Sequence, residues 1–302
     1  KERVGDRDNK AVDRVRGWFM TRLNGSKCVP TGEMQLGCPE IIPQLRARPF
    51  WDTSEFAWVK QIEENLDVIK EELMTLRGQK GFRPYRGPSW ASKIKAEDKV
   101  GTVSHDSGSW NVFYLYLHEI KFEENCAKCP KTVELIENII PRHYHHAFFS
   151  CTNPKTHILK HHGPTNKKLR LHFPLVGTQG SRLRAANEVT HFEEGKVVVF
   201  DDSFEHEAWH DGETTRINLI VDLWHPDLTD EEVKFLKLLN NSKIKAEKQI
   251  SEKDESGDNF FAIIDKSQHL IKDDSWWVTP ETKTHDRDPE DSTSEEKKKE
   301  NQ

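Results

Sequence analysis

With 302 residues, 34% of them hydrophobic and 32% charged, the chain holds enough apolar material for one sizeable core plus extensions, and no excess. A formal net charge of −6 argues against a nucleic-acid binder, which would carry a basic face. No apolar run approaches the roughly 20 residues of a membrane-spanning helix, and no secretory h-region opens the chain; it begins at Lys1 rather than Met, so membrane association is expected only through a segment upstream.

Residues 1–44 mix charge, Gly and Pro with little periodicity and read as an extended or loosely packed arm. Asp52 and Glu55 have the spacing of a capping box. Behind them Trp58, Ile62, Leu66, Ile69 and Leu73 recur at helical spacing until Gly78, which predicts one amphipathic helix of about five turns. Residues 80–110, rich in Gly, Pro, Ser and Trp, read as loop. The run VFYLYLHEI at 112–120 is aromatic and β-branched, as a strand requires.

Cys126 and Cys129 form a C-x-x-C. His143, His145 and His146 follow, but no second C-x-x-C completes a zinc site and no thioredoxin-like pattern surrounds the pair. A local disulfide or two free thiols is the expectation. Residues 132–140 predict a short helix. Seven short strand-like runs then follow with turn signals between them: HAFFSCT, THILKH, LRLHFPLV, SRLRAAN, GKVVVFDD, EHEAWHD and TRINLIVDLW. Such a series predicts an all-β sandwich or barrel. Thr229 and Glu232 form a second capping box and open a helix through Val233, Leu236 and Leu239 that closes the folded unit. Residues 241–278 are polar apart from NFFAIIDKSQHLI and Trp276-Trp277, and 279–302 read as a disordered charged tail. The sequons at Asn24 and Asn240 hint at a secretory lumen without establishing it.

The chemistry concentrates in the β region. Alternation places Leu169, Leu171 and Phe173 on one face of their strand and Arg170 and His172 on the other; Arg216, Asn218 and Asp222 oppose Ile217, Leu219, Val221 and Leu223 in the same way. A barrel interior that carries arginines is costly unless an anion sits there, and guanidinium forks suit a dicarboxylate. His161 and His206 stand at strand edges 45 residues apart. Two imidazoles plus a chelating 2-oxo acid would satisfy ferrous iron and leave a position for dioxygen. The acid that commonly lies two residues after the first histidine is absent: that slot is Gly163. Two rival pairings exist, His225-x-Asp227 with His269, and His191-x-Glu193, but the first opens a capped helix and the second lies in a loop-like run.

Residues 45–239 resemble the aspartyl/asparaginyl β-hydroxylase family of 2-oxoglutarate-dependent oxygenases. The resemblance is carried by PQLRARPFWD, CPKT, KHHGPTNKKLRLHFPLV, RAANEVTHFEEGKVVVFDDSFEHEAW and RINLIVDLWHPDLT. It implies a mainly β, double-stranded β-helix (jelly-roll, cupin-like) core with flanking helices, occupying 45–240. It implies Fe(II) held by His161 and His206 without a protein carboxylate, water filling the third protein position. By motif match Ser150, Arg170, His172 and Arg216 would bind 2-oxoglutarate, with O2 as the second co-substrate. His162 departs from the usual pattern and offers an accidental third ligand. The implied reaction is hydroxylation of an Asp or Asn β-carbon in a protein or peptide, EGF-like domains being the substrates of better-known members, whose setting is the secretory pathway; some relatives hydroxylate lipid acyl chains. A non-catalytic binding module would instead show a damaged metal or oxo-acid site.

Overall fold

The computed structural model describes residues 10–283, apart from 31 and 255; the expected charged tail lies, from residue 284 on, outside the described residues. From His143 to Trp224 the chain alternates between two antiparallel sheets. The larger runs Phe50–Trp51, Val198–Phe200, Lys168–Val176, Arg216–Trp224, His143–Thr152, Trp110–Leu117 and Arg83–Pro84, with Ile120–Lys121 paired onto Trp110–Leu117. The smaller runs Glu188–His191, Ser181–Ala185, His206–His210, Thr156–His161 and His105–Ser107. Each crossing from one sheet to the other winds the double-stranded β-helix that the sequence predicts.

The period-2 pattern sorts the strand faces. Leu169, Leu171, Phe173, Leu219 and Val221 face outward and pack beneath the helices, against Ile62, Ile69, Leu73, Val133 and Ile136. The opposite face looks into the barrel, where Tyr114, Phe148, Phe200 and Ile220 meet Ile158, Leu183, Ala185 and Ala208 of the smaller sheet. A one-residue slip of the strand Arg216–Trp224 would bury Arg216 and Asp222 under the helices, so the pattern fixes its register.

The predicted five-turn helix is two helices, Val59–Glu63 and Leu66–Thr75. The break lies at Asn65, whose side-chain amide donates to the Gln61 carbonyl at 2.8 Å and competes with the helical ladder. Asp52 caps a 3-10 turn, Thr53–Glu55, through the Ser54 amide rather than a long helix. The arm is more structured than expected: Asp13–Leu23 is a helix whose Val15 and Trp18 are buried against Trp224, Leu228, Val233 and Leu236. Its short apolar stripe is legible only once a partner helix is known. That partner, Asp230–Ser251, starts with the predicted capping box and runs through residue 240. Asn240 therefore sits in mid-helix with its amide nitrogen shielded, whereas Asn24 lies exposed at a helix end.

The C-x-x-C lies at the junction of two helices, Glu123–Lys128 and Pro130–Ile139, not in a loop. Both thiols are free and buried. Burial pushes the Cys126 thiol up to about 11 and the Cys129 thiol up to about 12, so neither is poised as a nucleophile. The polar extension docks on the barrel. In the helix Phe260–Ser267, Phe260 stands 5.1 Å from the His118 ring and the Ile264 carbonyl accepts from Arg83 at 2.7 Å. Trp277, 2% exposed, enters the main core.

Two buried histidines away from the barrel mouth make the fold sensitive to acid. His210 accepts from the Ser181 hydroxyl at Nδ1 (2.7 Å) and donates from Nε2 to Thr214 O (2.6 Å). His225 accepts from the Asp227 amide at Nδ1 (3.1 Å) and donates from Nε2 to Arg46 O (3.0 Å). A proton on either Nδ1 removes an acceptor, and burial lowers both imidazoles to about 4. The unfolded chain binds more protons from the ordinary value near 6.5 down to about 4, so stability falls as pH drops through that window. Thermal melts should show Tm about 5–10 °C lower at pH 5.5 than at pH 7.5.

Candidate active site

His161 ends the strand Thr156–His161 and His206 begins the strand His206–His210; the two are Cα partners across the ladder. Their rings lie 4.0 Å apart between centroids. Each Nδ1–H donates to a backbone carbonyl two residues earlier, His161 to Leu159 O at 2.7 Å and His206 to Phe204 O at 2.9 Å. That bond fixes the tautomer and leaves each Nε2 with a free lone pair, the form in which imidazole ligates a metal. Burial is the main cause that depresses both imidazoles, with Arg170 adding to it in each case, so both stay neutral. This chemistry fits a divalent ion. Among the described residues no third His, Cys, Asp or Glu joins them as a metal-holding group.

The rival ligands are occupied or apart. His225 uses both ring nitrogens on the backbone, and His191, Glu193 and His269 are exposed. His162 donates from Nδ1 to Ser203 O at 2.9 Å and turns its ring against Gly37, so it is no accidental third ligand.

The carboxylate that the sequence reading did not assign is Asp202. It is fully buried, and a Cβ on Gly163 would stand 2.4 Å from its carboxyl carbon. Lys168 Nζ donates to Asp202 Oδ2 at 2.6 Å and lies 3.0 Å from Asp222 Oδ2; Asp202 Oδ1 has no partner. An orphaned buried carboxylate oxygen beside two metal-ready imidazoles suits a metal-bound water. The doubled Asp before His206 was the available signal, and only the fold tells which of the two faces the site.

The two arginines differ. Arg170 grips Asp222 bidentately, Nε to Oδ1 at 2.7 Å and a terminal nitrogen to Oδ2 at 2.9 Å, with another nitrogen 3.5 Å from Asp202. Burial works against its charge, but these carboxylates hold its pKa above the ordinary value. Arg216, 1% exposed, has no carboxylate within ion-pair distance among the described residues, and its Nε has no partner. Burial lowers it to about 10, and its guanidinium lies 5.1 Å from the centroid of Phe192. Of the two arginines expected to face a dicarboxylate, one guanidinium is engaged by Asp222 and the other has no carboxylate partner among the described residues.

Around Arg216 the inward positions are donors. Ser150, Cα partner of Asn218, accepts from Trp110 Nε1 at 2.9 Å and keeps its own hydroxyl proton to give. His172 receives the Asn218 amide on Nδ1 at 3.3 Å, which places its proton on Nε2; burial and then the Arg216 and Arg170 charges keep it neutral. Tyr85, from the segment read as loop, stacks on Trp110 at 3.7 Å and walls this end of the cavity. A buried cation, a hydroxyl and a neutral imidazole N–H make a cradle for a carboxylate.

Comparison with known proteins adds to this geometry. The family model described as aspartyl/asparaginyl beta-hydroxylase matches residues 63–226. The chain is 37% identical over 201 residues to the aspartyl/asparaginyl beta-hydroxylase of Mus musculus, covering 64% of this chain and 25% of that protein. It is 34% identical over 181 residues to the ornithine lipid ester-linked acyl 2-hydroxylase of Rhizobium tropici, covering 59% of this chain and 61% of that one. The chain thus spans about a quarter of the length of the mouse relative. Among solved structures, an oxidoreductase of the 2OG-Fe(II) oxygenase family from Burkholderia pseudomallei aligns over 62% of this chain and 96% of its own with a TM-score of 0.39 and 10% identity.

Proposed function

The chain belongs to the aspartyl/asparaginyl β-hydroxylase family, and from that premise we propose that it is an Fe(II)- and 2-oxoglutarate-dependent dioxygenase that hydroxylates the β-carbon of Asp or Asn residues in a protein or peptide. The family assignment supports an oxygenase of the hydroxylase class; the co-substrate, the metal and the substrate are added by this proposal. The observation that carries it is Arg216, a buried guanidinium with no counter-ion among the described residues, in the same barrel as two imidazoles whose free nitrogens are ready for a metal. An uncompensated buried charge is costly unless an anionic ligand pairs with it, and the two imidazoles beside it add the metal.

In this reading His161 and His206 hold the iron through Nε2. Arg216 and Ser150 would bind a carboxylate of the oxo acid, with His172 offering Nε2–H as a further donor, and Arg170, oriented by Asp222, would offer its remaining donor to the same ligand. Asp202 orients water beside the metal. Ferrous iron with 2-oxoglutarate supplies the oxygen-activating chemistry that couples loss of CO2 to hydroxylation of a C–H bond. The aromatic lining of Tyr85, Tyr114, Phe148 and Phe200 excludes bulk water from the reacting centre. Residues 45–240 would form the catalytic unit, between the arm 1–44 and the extension 241–278 with its tail 279–302.

The similarity to an acyl 2-hydroxylase favours a second reading, in which a lipid acyl chain takes the place of the peptide. Purified protein incubated in air with Fe(II), ascorbate and 2-oxoglutarate should form succinate only when iron is present. His206→Ala should lower that rate by about 100-fold or more. Mass spectrometry of Asp/Asn peptides, EGF-like modules and lipid extracts then shows which substrate gains one oxygen. Absence of iron-dependent turnover with all of them would leave a binding module.

A further inference from the structure

Both segments that flank the histidine pair are held by one strap that precedes the family-matched residues. Residues 162–166 follow His161, and residues 201–205 lead into His206. On the second segment, the Glu205 amide donates to Met34 O at 2.8 Å. The Gln35 side-chain amide, 1% exposed, donates to Ser203 Oγ at 2.7 Å and stands 3.4 Å from Asp201 Oδ2. On the first segment, the Glu40 amide donates to Pro164 O at 3.2 Å and the Asn166 amide to Glu40 O at 3.3 Å. The Asn166 side chain bonds Ile42 in both directions, at 2.8 and 3.0 Å. Between these contacts, a Cβ on Gly37 would lie 2.3 Å from His162 Nε2, so only glycine lets the strap pass the residue next to His161.

We propose that residues 32–42 are a positioning strap for the metal site, with Gln35 as its central positioning residue: it ties the Asp201–Ser203 loop in place and thereby fixes Asp202 and His206 relative to His161. The proposal rests on the iron reading above. A side chain committed this deeply to a loop that bears a ligand is a poor candidate for general surface packing. Outer partners of metal ligands commonly contribute 10- to 100-fold in affinity, because the ligands must be held in one geometry before the ion arrives.

The test uses Mn(II), titrated calorimetrically into the full chain without oxygen chemistry. Wild type should bind Mn(II), and His161→Ala should abolish binding. Gln35→Ala and Gly37→Ala should each bind about tenfold or more weakly at a temperature where both are fully folded, their metal-free melting being lowered by the lost bonds and the clash, and excess iron should restore succinate formation in Gln35→Ala. Wild-type affinity in both folded variants overturns the strap and leaves the iron site standing. Failure of wild type itself to bind Mn(II) takes both readings down. Should neither variant fold, hydrogen exchange on wild type decides: Mn(II) must slow the Cys38 and Glu40 amides along with the 201–206 loop, and protection confined to the loop overturns the proposal.

Discussion

Arg216→Met should raise the melting temperature of the ligand-free protein while lowering kcat/KM for 2-oxoglutarate by about 100-fold or more. Arg216 is 1% exposed, has no carboxylate within ion-pair distance among the described residues and leaves Nε unbonded, so the ligand-free protein would bear the full cost of a desolvated charge. Replacing buried ionic groups by apolar side chains of similar volume often stabilises by about 1–4 kcal/mol. In a domain of this size that is about 2–10 °C in Tm. Methionine also keeps the contact with Phe192, which lies under the guanidinium. The same change removes a cation that, among the described residues, has no carboxylate partner and is positioned for a buried carboxylate, and losing one partner of such a pair costs about 2–5 kcal/mol in binding. Differential scanning fluorimetry and succinate formation read the two effects. A lowered melting temperature would mean that Arg216 has a stabilising role in the empty fold, and the proposed anion cradle would lose its main support.

Gly163→Ala should reduce Mn(II) affinity by about 100-fold, and Gly163→Asp, which installs the acid of the common facial triad, should do no better. The reason is occupancy. The space a Cβ would take is filled by the Asp202 carboxylate, whose carbon and two oxygens lie 2.4, 2.6 and 2.5 Å from that point. Asp202 cannot yield, because Lys168 Nζ holds it at 2.6 Å in a fully buried network with Asp222. The new side chain must separate the His161 segment from the 201–206 loop. Overpacking of this kind costs about 1–3 kcal/mol of stability as well. The double variant Gly163→Asp/Asp202→Gly removes the obstruction and should recover part of the affinity. Calorimetric titration of wild type, Gly163→Asp, Asp202→Gly and the double variant closes the cycle. Wild-type affinity in Gly163→Ala would show that Asp202 does not occupy the slot.

Period and motif carried the fold a long way. Strict alternation in LRLHFPLV and TRINLIVDLW announced strands with one polar face, and the two ladders place those polar residues inside the barrel. The capping box at Thr229 announced its helix because both halves of the signal are local. What stayed hidden depends on partners distant in sequence. Asn65 breaks a helix that apolar spacing alone would continue. Val15 and Trp18 make a stripe too short to read without the helix they meet. The short strands within 80–110 exist by pairing with edges, such as His105 opposite Ile158, and have little pattern of their own. At the site, His161 and His206 stand out as residue types at strand edges. The division of labour between Arg170 and Arg216 does not, because it turns on which guanidinium finds Asp222, a matter of cross-strand register. Gln35 was invisible for the same reason: its partners lie 166 and 168 residues away.

Trp277 enters the core beneath the helices and the half-buried Phe260 packs against the one at the barrel interior, although both lie beyond the strand Arg216–Trp224. A ribosome translating this chain therefore finishes the barrel strands well before it delivers the residues that pack against them. During that interval the nascent sheet presents unfilled apolar surface, at the stage when partly made β proteins are most prone to stick to one another. Synthesis rate and chaperone supply, more than the strength of the finished fold, should then govern the yield of folded protein.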